Sequence, residues 1–191
     1  MTSAITVSTP LYVRVIGDSW TQLAEPIRRV HATHSIIRAS GRLHLTHGRR
    51  FLAGVLARLL RLPAPNAATQ TQLIVTARND GEHWQRTFNG RRFDTQQYQS
   101  NDGELAERYG VLEFRFGLDA RGGSLLYVQH EAALMIGSVR LRIPPQWAPR
   151  VEAREDPAGP HSFNVNVRVV LPGSRLLIAY DGIIDVEDAR G

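Results

Sequence analysis

Phe163-Asn164-Val165-Asn166-Val167-Arg168-Val169 decides the fold class. Apolar and polar side chains alternate at every step, and a period of two is the mark of a strand with one buried and one solvated face. Downstream, Leu171-Pro172-Gly173 turns the chain and Arg175 to Ile184 reads as a returning strand. Upstream, Val151 to Glu155 and Val139 to Ile143 are further strands, separated by the rigid crossing Pro144 to Pro149. Before them, Leu112, Phe114, Phe116 and Leu118 alternate with Glu113 and Arg115, and Arg121-Gly122-Gly123 leads into Leu125 to His130. Asn79-Asp80-Gly81, Asn89-Gly90 and Asn101-Asp102-Gly103 punctuate earlier strands at Leu73–Ala77, Trp84–Phe88 and Phe93–Tyr98. Such Asn/Asp-Gly pairs supply the positive φ that tight hairpins require.

The first third is different. Pro10 to Ile16 reads as a helix with proline at its first position, Gly17-Asp18-Ser19 breaks it, and Pro26 to His31 is a second short helix. Ile37, Ala39, Gly41, Leu43 and Leu45 then alternate with Arg38, Ser40, Arg42, His44 and Thr46, which is an early strand. Arg49 to Leu62 is predicted as an amphipathic helix, with Phe51, Leu52, Val55, Leu56, Leu59, Leu60 and Leu62 on its apolar face and Pro63 and Pro65 as its stop. The expected fold is α+β: a large, strongly curved antiparallel sheet, an open or partial β-barrel, packed on the amphipathic helix, with short N-terminal helices. Residues 1–9 read as a flexible leader and residues 10–188 as a single domain.

Composition excludes several chemistries. Among 191 residues there is no cysteine and no lysine, all 23 basic residues being arginine. Thiol nucleophiles, thiolate metal sites, lysine Schiff bases and the P-loop lysine are therefore absent. The net charge of +5 is spread over strands and turns without interleaved aromatics, so a solvated basic surface is expected rather than a nucleic-acid interface. No apolar run is long enough to span a bilayer, and the N-terminus carries no secretory signal, which points to the cytoplasm. Weak contact with an anionic membrane surface through the arginines of the Arg49–Leu62 helix is the second use of that helix. His31/His34 and His44/His47 have a ligand-like spacing, but strand geometry sends residues three apart to opposite faces, so no metal site and no cofactor are expected. No Gly-x-Ser-x-Gly elbow occurs. No motif fixes an oligomeric state.

The polar phase of the strands holds the remaining chemistry. Were the sheet to curl with that phase inward, carboxylate, imidazole and guanidinium groups would converge on a pocket. Glu113, Asp181, His130 and Tyr180 are then the candidate acid/base groups, and Arg115, Tyr127, Asn166, Arg168 and His44 the candidate ligand contacts. The expected function is a small-molecule pocket for a largely apolar metabolite, supporting cofactor-free cyclisation, isomerisation or proton transfer. A non-catalytic ligand- or partner-binding module attached to a larger enzyme system is the alternative.

Several short motifs fall in a familiar order: Leu11, Gly17-Asp18, Leu23, Pro26, His31 and Gly41, then Glu107-Arg108-Tyr109-Gly110-Val111-Leu112, Gly122-Gly123-Ser124-Leu125, Ala148-Pro149-Arg150-Val151-Glu152-Ala153, Leu171-Pro172-Gly173 and Tyr180-Asp181-Gly182. In this order the chain resembles a bacterial family known as domain of unknown function 4166, from about Leu11 to Val186. The resemblance implies no established activity, and members that stand alone or ride on longer chains, some with reductase-like modules. It favours His31 as a residue tying the second helix to the sheet. Asp181 stands where the family pattern implies a basic residue, and Ile183 where it implies an aromatic.

Overall fold

The computed structural model describes residues 9–48 and 63–187; the helix expected over Arg49–Leu62 lies outside the described residues. Two short helices come first, α1 (Leu11–Ile16) and α2 (Glu25–His31), joined by a 3-10 turn over Gly17–Gln22. Eleven strands follow: β1 (Ile36–His47), β2 (Asn66–Arg78), β3 (Gly81–Phe88), β4 (Arg91–Gln99), β5 (Leu105–Tyr109), β6 (Leu112–Arg121), β7 (Ser124–Ile136), β8 (Val139–Arg142), β9 (Arg150–Pro157), β10 (Ser162–Leu171) and β11 (Arg175–Val186).

All of the strand pairings are antiparallel, and they close a ring. β1 to β7 pair in sequence, β7 pairs β9, and β9, β10 and β11 lead back to β1. β8 alone stands outside the ring, so ten of the eleven strands form a closed barrel. The expectation of an open or partial barrel is corrected here. A sheet this wide leaves two exposed edges unless it closes, and closure removes both. β7 makes the closure possible. Its first half, Leu125 to Val128, pairs β9, while on the same edge its second half, Ala133 to Ile136, pairs β8, with Ala133 and Leu134 still paired to β6 on the other.

The alternation predicts the strand faces well. Phe163, Val165, Val167 and Val169 of β10 point inward, and Asn164, Asn166 and Arg168 outward. Carrying arginine and carboxylate into an unhydrated interior is costly, so the barrel curls around its apolar phase.

The two ends of the barrel differ. At one end α1, the 3-10 turn and α2 close the opening. The Ala24 amide donates to the Gly123 carbonyl at 2.9 Å, and Tyr12, Ile27 and Val30 are fully buried there. The opposite end, formed by the β3–β4, β5–β6 and β10–β11 turns and the start of β9, is the mouth.

Candidate functional site

Inside the barrel is a cavity of about 450 Å³. Leu73, Phe114, Val165 and Val167 are among its apolar walls, and Val111, Leu134 and Trp147 stand at its mouth. Its polar lining gathers toward the helical end.

Glu155 sits at the centre of this floor. It comes from the inward phase of β9, shared with Val151 and Ala153. Its Oε2 lies 2.8 Å from His31 Nε2, and its Oε1 accepts a hydrogen bond from the Tyr127 hydroxyl at 3.1 Å. The His31 ring is wholly buried, and its Nδ1 meets no partner among the described residues, so the ring proton belongs on Nε2, facing the carboxylate. The Tyr127 and Tyr12 hydroxyls are 3.1 Å apart, and Tyr12 donates to Gln97 Oε1 at 2.9 Å. Burial, reinforced by the neighbouring carboxylates, holds both phenols well above their ordinary pKa, so both stay protonated.

A second polar group lies beside the first. Arg86 donates to Thr95 Oγ1 at 2.8 Å and to Glu107 Oε1 at 3.4 Å, with its guanidinium carbon 5.0 Å from the centre of the Trp84 ring. Burial works against the Arg86 charge, but Glu107 outweighs it and the group stays cationic. The Tyr180 hydroxyl, pushed up to about 12 mainly by burial, has no hydrogen-bonding partner among the described residues. Behind the floor, Trp84 Nε1 donates to Glu82 Oε2 at 2.9 Å.

Of the residues singled out in the sequence, only Tyr127 and Tyr180 line this cavity. The others lie on the outer wall. His44 and Asp181 face each other at 3.8 Å, both more than half exposed, in one cross-strand row with Asn166. Arg168 is exposed on β10. His130 is paired with Glu104 on the outer side of β7. Glu113 is only 1% exposed, yet it is buried under the β7–β8 hairpin rather than in the barrel. There it accepts from Tyr98 and from Arg140 Nε at 2.7 Å, while Arg115 binds Asp102 at 2.6 Å. Burial raises the Glu113 carboxyl, but these donors outweigh it and hold it below its ordinary pKa, as befits a structural tie. The polar phase thus faces outward: of these candidates His130 lines a separate outer hollow of about 360 Å³ with Gln129, Glu131 and Arg142, and among the described residues the others do not converge with it.

The residues sequence reasoning missed are Glu155, Arg86, Glu107 and Gln97. Gln97 lies between Thr95 and Gln99 and gives no such signal, but Glu155, Arg86 and Glu107 are charged residues in the apolar phase of their strands, flanked two positions away by residues such as Ala153, Trp84, Phe88 and Tyr109. That misplacement is the signal that could have found them. Among the described residues no three His, Asp or Glu side chains are placed to hold a metal ion, and no helix is long and apolar enough to cross a membrane.

No curated protein matches the chain, and no solved structure matches it. The model of one family matches residues 23–184, a span that takes in every wall of the barrel and the whole polar floor apart from Tyr12. The chain belongs to that family, the domain of unknown function DUF4166.

Proposed function

We propose that the protein binds a small, largely apolar metabolite inside the barrel, with the polar end of the ligand on the Glu155–Tyr127 floor. The observation that carries this reading is the cavity itself: about 450 Å³, walled by apolar side chains and polar at one end only. A ligand hydroxyl would donate to Glu155, and a carbonyl would accept from Tyr180 or Arg86. Among the described residues that line or floor the cavity, Arg86 is already matched by Glu107, Arg154 by Asp156, and His31 Nε2 is taken by Glu155, which leaves no free cation there for a ligand carboxylate. The polar end is therefore neutral.

The chemistry such a floor supports is cofactor-free proton transfer, including isomerisation or cyclisation of a carbonyl compound. Glu155 is the base and the buried phenols are donors that do not ionise. These assignments replace the outer-wall groups Glu113, Asp181 and His130. Tyr180 keeps a place as a contact to the ligand.

The test uses naphthalene and naphthol as probes, which differ by one hydroxyl. The wild-type chain is expected to bind both, naphthol more tightly. Glu155→Gln and Tyr127→Phe are each expected to lower naphthol affinity roughly fivefold, the worth of one hydrogen bond, and to leave naphthalene binding unchanged. Absence of binding to either probe would remove the proposal.

A further inference from the structure

We propose that the mouth of the barrel docks on an anionic lipid bilayer. The two ends of the molecule carry different surfaces. Nine large apolar residues are exposed among the described residues, and six of them, Val111, Leu134, Ile136, Val139, Leu141 and Trp147, lie at the mouth, while Ile36, Val128 and Ile183 lie elsewhere. Trp147 is 70% exposed, and Ile136 and Val139, which flank the tip of the β7–β8 hairpin, are 62% and 54% exposed. The register pairs Leu134 with Leu141 and Ile136 with Val139, so these four side chains share one face of the hairpin. That face is continuous with the cavity, because Val111, Leu134 and Trp147 also line it.

Charge follows the same axis. The turns and strand ends at the mouth, residues 88–92, 109–112, 136–150 and 171–176, contain Arg91, Arg92, Arg140, Arg142, Arg150 and Arg175 and no acidic residue. Arg92, Arg140 and Arg142 are paired with carboxylates on the adjoining walls. Arg91, Arg150 and Arg175 have no carboxylate partner among the described residues, and all three are exposed. The helices, turns and strand ends of the helical end instead carry both signs, with Asp18, Glu25, Asp80, Asp102, Glu104 and Asp119 beside Arg14, Arg28, Arg29, Arg78 and Arg121. An apolar hairpin tip and an indole inside a cationic rim match the two layers of an anionic bilayer: headgroups for the arginines, acyl boundary for Ile136, Val139 and Trp147. The mixed-sign helical end faces away.

Docking stands on the surface alone. Its use, passing an apolar ligand between bilayer and barrel without a passage through water, rests on the cavity reading.

The experiment is co-sedimentation of the full chain with vesicles, and it needs no cavity ligand. The chain is expected to sediment with vesicles of equal parts phosphatidylglycerol and phosphatidylcholine and to remain in the supernatant with phosphatidylcholine alone. The variant with Arg91→Glu, Arg150→Glu and Arg175→Glu is expected to bind at least about tenfold more weakly. Ile136→Ser combined with Val139→Ser, neither of which lines the cavity, is expected to weaken binding by a similar factor while naphthalene binding persists. Circular dichroism checks that both variants are folded. As an internal measurement, brominated acyl chains should quench the wild-type tryptophan emission and should lose most of that quenching in Trp147→Phe. Failure of the wild-type chain to sediment with anionic vesicles overturns the proposal, as does undiminished binding by the charge-reversed variant. Loss of probe binding with vesicle binding intact would strike the cavity reading alone.

Discussion

Glu82 is a carboxyl 3% exposed at the closed end of the barrel, with Oε2 on Trp84 and Oε1 without a partner among the described residues. Burial raises its pKa from 4.5 to about 7, against the smaller pull of the Trp84 hydrogen bond and of His31. The folded state therefore holds a proton that the unfolded chain releases above 4.5. Its stabilising contribution is full below that value and is lost as pH rises to about 7, which amounts to about 3 kcal/mol over the window. Glu113 works in the opposite sense. Its folded pKa is depressed, so its contribution is present above 4.5 and is lost as pH falls. Urea midpoints should thus fall between pH 5 and 7, and Glu82→Gln should flatten that slope. A slope unchanged by Glu82→Gln would show that another group carries it.

At the scale of elements, the seam between β1 and β11 joins the early strand to the last one. Gly41 faces Ile184 across it, and a Cβ at Gly41 would sit 2.0 Å from the Ile183 carbonyl oxygen. Backbone cannot yield as a side chain does, so Gly41→Ala should part the strands and cost about 3 kcal/mol or more in urea unfolding, whereas Ser40→Ala next to it should stay within about 0.5 kcal/mol. A loss under about 1 kcal/mol for Gly41→Ala would mean the seam can shift. The sequence made Gly41 inward by phase but gave no sign of this close approach, because the partner strand lies more than a hundred residues away. Local chemistry was far more legible. Asn89 and Gly90 take φ of 47° and 82°, as an Asn-Gly hairpin turn demands, and α2 ends at His31, which meets β9 through Glu155. What alternation could not reveal was the sense of curling. It separates two faces but does not say which becomes the interior, so by alternation Asn166 and Arg168 read as pocket candidates and Glu155 and Arg86 as ordinary strand positions.

At the scale of the whole molecule, closing ten strands leaves more room than their inward side chains fill, and the question is whether that room is used. Val167 answers it, because it lines the cavity in mid-strand with Asn166 and Arg168 pointing outward on either side. Val167→Phe would fill space that the native chain leaves open. If the cavity were only a packing defect, filling it would recover lost dispersion contacts and change nothing else. If it is a binding site, stability should hold or rise by about 1 kcal/mol while naphthalene affinity falls at least about tenfold. Arg168→Gln, one residue along but on the outer wall, should leave both quantities unchanged. Equal loss of affinity in the two variants would place the probe on the surface; loss confined to Val167→Phe would mean that the apolar phase, rather than the polar phase, carries the function of this fold.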